Sequence, residues 1–120
     1  MVGVLVLSMM TAGCSGDGAR SAGPSTGPRP FVSVAVDNHF HDIHPIDHRR
    51  IQSDRAFVIR NDGRNLHNVT VADTNISQDL EPDQSLSWTR IGDHLQPGTY
   101  RILCKYHDWA RMVGEITVIP

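Results

Sequence analysis

The stretch Cys104-Lys-Tyr-His107-Asp-Trp-Ala-Arg-Met112, near the carboxyl end, sets a thiol, an imidazole and a thioether close together. Upstream, Leu66-His67-Asn68-Val69-Thr70-Val71 adds a second imidazole. A thiolate and two imidazoles in a rough trigonal plane, with a distant thioether on the axis, make up the donor set of a blue (type 1) copper electron-transfer centre. The candidate metal ligands are therefore His67, Cys104, His107 and Met112. Taken singly, each has a blander reading: a lone Met fills core, a buried Cys is inert, and a His beside a Val-rich strand is a hydrogen-bonded polar residue. Zinc also accepts one Cys and two His, but a structural zinc site wants a fourth hard or thiolate donor and gains little from a thioether. Asp108 is a candidate for that donor, yet its adjacency to His107 makes shared tetrahedral ligation awkward.

The elements that must position these residues are strands, whose side chains alternate between two faces. In Tyr100-Arg-Ile-Leu-Cys104-Lys105 the charged Arg101 and Lys105 mark one face, so Tyr100, Ile102 and Cys104 share the other. In Met112-Val-Gly-Glu-Ile-Thr-Val118 the polar Glu115 and Thr117 mark the solvent face, which puts Met112 in phase with Gly114, Ile116 and Val118. His67 shares its phase with Val69 and Val71. All of these segments turn their candidate ligands toward the core.

Six strand candidates run along the chain: Phe31 to Val36, Arg55 to Arg60, His67 to Val71, Ser85 to Thr89, Thr99 to Cys104 and Val113 to Ile119. Turn residues separate them, and the pattern favours an all-β class, a Greek-key β-sandwich, over any helical one. A short helix between Thr74 and Leu80 is the one helical alternative.

The spacing C-x2-H-x4-M, followed at once by Val113-Gly-Glu-Ile-Thr-Val118, resembles that of plastocyanin-like proteins of the cupredoxin family, and the resemblance covers Phe31 to Pro120. Pro97-Gly98-Thr99-Tyr100 is similar to the family's lead-in to the cysteine strand, Leu80-Glu81-Pro82 to the turn before it, and His67-Asn68 to the first His ligand and its neighbour. The chain departs from plastocyanin at Tyr106, where Pro is usual, at Arg111, where Gly is usual, and at Leu103, where plant proteins carry Tyr. The ligand set stays intact, and the departures bear on partner and potential. The resemblance implies a cupredoxin-like fold holding one type 1 copper ion, with Asn68 holding the cysteine loop by hydrogen bonding. It also implies electron exit through the His107 ring edge, beside Tyr106 and Trp109.

Composition sets the frame. At 120 residues the chain has room for one small domain and none for a second copper domain. Lys and Arg number 11 against 13 Asp and Glu, a balance that argues against nucleic acid as a partner. Residues 1–13 form an apolar run too short to span a bilayer and suited to a secretory signal. Thr11-Ala12-Gly13-Cys14 is similar to a bacterial lipobox, in which Cys14 would be lipidated and become the mature amino terminus. An ordinary signal peptide with an incidental Cys14 is the alternative. A Cys14–Cys104 disulfide is conceivable in an oxidising compartment, but it would remove the thiolate. Residues 14–30, rich in Gly, Ser and Pro, bury too little apolar surface to fold and form a tether reaching on the order of 20 Å. The domain itself spans 31–120.

A second concentration of ligand-type residues lies at His39, His41, His44 and His48. One reading is an auxiliary metal site, since neutral imidazole suits copper, zinc and nickel. The other is a solvated loop whose His residues cap turns.

The expected function is one-electron transfer by Cu(I)/Cu(II) cycling in a monomer lipid-anchored to the extracytoplasmic membrane face, periplasmic or at the cell surface, serving redox partner proteins there. The alternative is copper storage or delivery on the same fold. An enzyme is not expected, because the chain lacks the second His cluster that a multicopper oxidase or copper nitrite reductase needs. Arg64, Lys105 and Arg111, in or beside the ligand loops, are expected to favour an acidic partner.

Overall fold

The structure is a computed structural model that describes residues 29–107 and 110–120. Among them the chain forms β1 (Phe31–Val36), β2 (His39–Phe40), β3 (Arg49–Gln52), β4 (Phe57–Asn61), β5 (His67–Val71), β6 (Ser77–Leu80), β7 (Ser85–Trp88), β8 (Gly98–Leu103) and β9 (Val113–Ile119). Two sheets result, one ordered β2-β1-β4-β7 and the other β3-β9-β8-β5-β6. β1 runs parallel to β4 and β3 parallel to β9, while the other pairs are antiparallel. This is the expected all-β sandwich.

The alternation in the sequence becomes the core. Ile102 on β8 and Gly114, Ile116 and Val118 on β9 are buried, as the phase of Glu115 and Thr117 requires. From the facing sheet come Phe31 and Ala35 of β1, Phe57 and Ile59 of β4, and Leu86 and Trp88 of β7. Each large side chain so buried contributes about 1.5–3 kcal/mol. Phe57 stacks on Phe31 at 5.9 Å between ring centroids and meets Trp88 at 5.6 Å. These rings lie at the start of β1 and β4, so the aromatic cluster closes the end of the sandwich away from Asn61 and the loop that leads to His67.

Three segments differ from the sequence expectation. Residues 77–80 form a strand, not part of a helix. Thr74 Oγ1 donates to Val71 O at 2.7 Å and accepts from Ile76 N–H at 3.1 Å, and this side-chain turn reverses the chain so that β6 pairs back on β5. β2 and β3 were outside the candidates because neither shows a clean alternation: β2 has two residues, and β3 buries only Ile51 of Arg49–Gln52.

Candidate metal centre

Strand register brings the ligand residues to one end of the sandwich. β5 and β8 are antiparallel with Thr70 opposite Leu103, so the start of β5 lies beside the residue that follows β8. β8 and β9 pair with Leu103 opposite Val113, so Cys104 and Met112 leave the sheet side by side. Cys104 N–H donates to Met112 O at 3.2 Å, His107 N–H to Cys104 O at 3.1 Å, and Met112 N–H back to His107 O at 3.3 Å. The loop is thereby closed on itself by main-chain bonds.

His67, Cys104 and His107 each offer a ligand atom, and all of these atoms lie within 4.8 Å of one another. Cys104 Sγ is 3.2 Å from His107 Nδ1, and the two imidazole rings sit 4.9 Å apart. His67, Cys104 and Met112 are buried. Neither ring nitrogen of His67 has a hydrogen-bond partner, although both are shielded from solvent. A buried polar atom without a partner costs free energy unless something binds it, and a metal ion would. Burial, and next the neighbouring His107, push the His67 pKa below its ordinary value against an opposing pull from Asp37. The ring therefore stays neutral near pH 7 and keeps a lone pair for coordination. A soft sulfur and two imidazoles, with no carboxylate among the converging donors, fit a copper ion.

Outer contacts hold this arrangement. Asn68 N–H donates to Cys104 Sγ at 3.2 Å and so helps to fix the position of the sulfur. The Asn68 side chain, wholly buried, accepts from Lys105 N–H at 3.5 Å and from the Thr70 hydroxyl, and donates to Ser77 Oγ at 3.2 Å and Asp79 Oδ1 at 2.8 Å. It ties the cysteine loop to β5 and β6.

Two residues here went unnoticed in the sequence. Asp79 on β6 accepts from Asn68, from the Tyr106 hydroxyl at 2.6 Å and from Lys105 Nζ at 3.4 Å. The Tyr106 hydroxyl, and after it Asn68, holds this carboxyl below the usual range. Nothing local in Ser77-Gln-Asp-Leu80 signals such a hub, because its partners come from other strands. Asn61, buried at the end of β4, donates from Nδ2 to Asn65 O and Leu80 O, both at 2.8 Å, and accepts from Gly63 N–H at 2.9 Å. It shapes the 62–66 loop that delivers His67. Its signal was available: an amide in the inward phase of Phe57, Ile59 and Asn61. Gly63 lies under the ligand, where a Cβ would stand 3.2 Å from His67 Nε2.

The four upstream histidines do not converge. The rings of His39 and His41 are 6.4 Å apart, His44 Nδ1 caps the turn Pro45–Asp47 by accepting from Ile46 N–H, and His48 ends that turn in the left-handed region. Among the described residues the His67, Cys104 and His107 set is the only cluster of three or more such donors. Tyr106 is exposed at the surface. Asp108, Trp109 and Cys14 lie outside the described residues.

Neither protein-family models nor curated proteins match the chain. Solved structures do. A point variant of amicyanin in its reduced state superposes with a TM-score of 0.58 at 17% identity, over 75% of this chain and 82% of that one. An oxidised amicyanin carrying a different single substitution gives 0.58 at 18% identity, over 82% and 88%. A purple cupredoxin from Nitrosopumilus maritimus aligns over 60% and 77% at 22% identity, with a TM-score of 0.48. The two-sheet sandwich, with its ligand strands entering from both sides of one closed loop, is a cupredoxin fold.

Proposed function

We propose that the protein is a one-electron carrier that holds one copper ion at His67, Cys104 and His107, with Met112 as the weak axial donor. The observation that carries this reading is the buried thiol between two imidazoles, one of them with both nitrogens unpartnered. Copper bound there would supply a one-electron couple between two oxidation states. The chain's own part is to keep the donors in one arrangement acceptable to both. The main-chain closure of the 104–112 loop and the Asn68 contacts resist movement of Cys104, and a site that does not rearrange exchanges electrons quickly. Deep burial of His67, Cys104 and Met112 supports this reading over copper storage or delivery, in which an exchange partner must reach the ligands.

The carrier is proposed to work as a monomer on the extracytoplasmic membrane face, anchored through lipid on Cys14 and serving membrane or periplasmic redox proteins. What supports this is the sequence of the apolar run, Thr11-Ala12-Gly13-Cys14 and the tether that follows. Among the described residues no helix is long and apolar enough to cross a membrane.

Optical and electron paramagnetic resonance spectra of the Cu(II)-loaded protein test the assignment. An intense visible band and narrow parallel hyperfine splitting are expected, both lost in Cys104→Ser. A pale tetragonal Cu(II) spectrum in the unaltered protein overturns it.

A further inference from the structure

Beside the ligand loop, on the side away from Asp79, His44, Pro45, Arg101, Arg111 and Val113 line an open hollow of about 380 Å³. We infer that this hollow is a docking subsite for a carboxylate side chain of an acidic redox partner. The inference rests on the electron-carrier reading for the kind of partner, and on the following features for the chemistry.

Arg101 and Arg111 both line the hollow, and among the described residues no ion pair joins either of them to a carboxylate. The nearby acids are otherwise placed. Asp47 accepts from His44 N–H at 3.1 Å, and Asp42 lies 3.7 Å from Arg49. Glu115 stands opposite Arg101 across β8 and β9 but makes no ion pair with it. Lys105, by contrast, is held 3.4 Å from Asp79 and over the Tyr106 ring. His44 adds a third donor. Its Nδ1 accepts from Ile46 N–H at 3.3 Å and so carries no proton, which leaves the neutral ring's N–H on Nε2.

Backbone conformation gives an independent reason to single out Arg111. Among the described residues six non-glycine positions have positive φ: Asp37, Asp42, His48, Asp73, Asp83 and Arg111. Asp and His tolerate the left-handed region comparatively well, whereas a long side chain such as Arg does so rarely. At φ 57° Arg111 occupies a position where Gly would relieve the strain, one residue before Met112. Strain held beside a functional site is a reason to look for what the residue does there. Here Arg111 lines the same hollow as Arg101. Planar guanidinium forks pair bidentately with carboxylates, and Arg clusters recognise acidic motifs in this way. A partner carboxylate seated there would sit next to the metal loop, which is where a docked donor or acceptor must be.

The test is a two-dimensional nuclear magnetic resonance titration of the full-length, Cu(I)-loaded protein with hexaglutamate, and with hexalysine and acetate as comparisons. Hexaglutamate is expected to shift the Arg101 and Arg111 Nε–H signals and the amides of His44, Ile46 and residues 110–113, saturably and less strongly as salt is raised. Hexalysine should not. Arg101→Gln/Arg111→Asn, in which Asn suits the left-handed backbone, is expected to weaken binding by about tenfold or more, and Lys105→Gln to leave it unchanged. Shifts centred on Arg64 and Lys105, or unaltered binding by the double variant, overturn the proposal. So does acetate binding as tightly per carboxylate as hexaglutamate, which marks a small-anion site. The visible band of the same samples after oxidation reports separately on the electron-carrier reading.

Discussion

In the proposed copper site Met112 is the donor that would contribute little to binding and much to tuning. A thioether stabilises Cu(I) relative to harder donors, and a weak axial contact changes the couple without dismantling the plane. Met112→Leu is expected to raise the reduction potential and Met112→Gln to lower it, with copper still bound in both, as voltammetry would show. An unchanged potential and spectrum in both variants would leave Met112 as core filler. Asp79 acts at one remove, through Asn68, Tyr106 and Lys105. Asp79→Asn keeps an acceptor of the same shape but removes a negative charge that favours Cu(II), so its potential should rise with the spectrum little changed. Asp79→Ala should in addition perturb the hyperfine splitting, because Asn68 and Tyr106 lose their acceptor. Equal behaviour of the two variants would count against a positioning role. Since this carboxyl is held below its ordinary 3.8, its contribution is complete above that value and is lost only as pH falls through the lowered one. Acidification to about pH 4 should therefore not mimic Asp79→Asn.

For the elements, the decisive contacts join strand ends to loops. Asn61 stands at the exit of β4 and satisfies Leu80 O at the end of β6 and Asn65 O in the loop to β5. Asn61→Ala would strand the buried Leu80 carbonyl and remove the part-buried bond to the Asn65 carbonyl, and is expected to cost about 1–3 kcal/mol, measured by denaturant unfolding of the metal-free protein. It should also weaken copper retention, because His67 depends on the same loop. A stable variant with normal retention would show that the β5–β8 pairing alone places His67. The strands were legible in the sequence wherever apolar and polar residues alternated, as in β1, β5 and β9. The 74–80 segment was not, since Thr74 reverses the chain with side-chain bonds that a periodicity count does not see.

On the scale of the whole molecule, the two sheets are complete within the described residues from Arg29 onward. A chain begun at residue 29 is expected to show the same visible spectrum and unfolding midpoint as the full chain. Only the full chain, made in a bacterial host, should incorporate radiolabelled palmitate and partition with membranes, and Cys14→Ser should abolish both. Labelling that survives Cys14→Ser would remove the anchor from the functional reading.

The ligand types, their loop spacing and their inward phase were determined by the sequence alone, because covalent spacing and strand alternation are local properties that hold wherever the strands end up. Asn68 was legible for the same reason, as the immediate neighbour of His67. Asp79 and the meeting of Arg101 with Arg111 at one hollow were not. Each depends on which strand lies beside which and in what register, and a one-residue slip would send every one of those side chains to the other face. The four upstream histidines show the converse: close in sequence, they are parted by a strand, a cap and a left-handed turn. Only the tertiary structure decides convergence, because it is the sum of many weak long-range contacts that no single segment encodes.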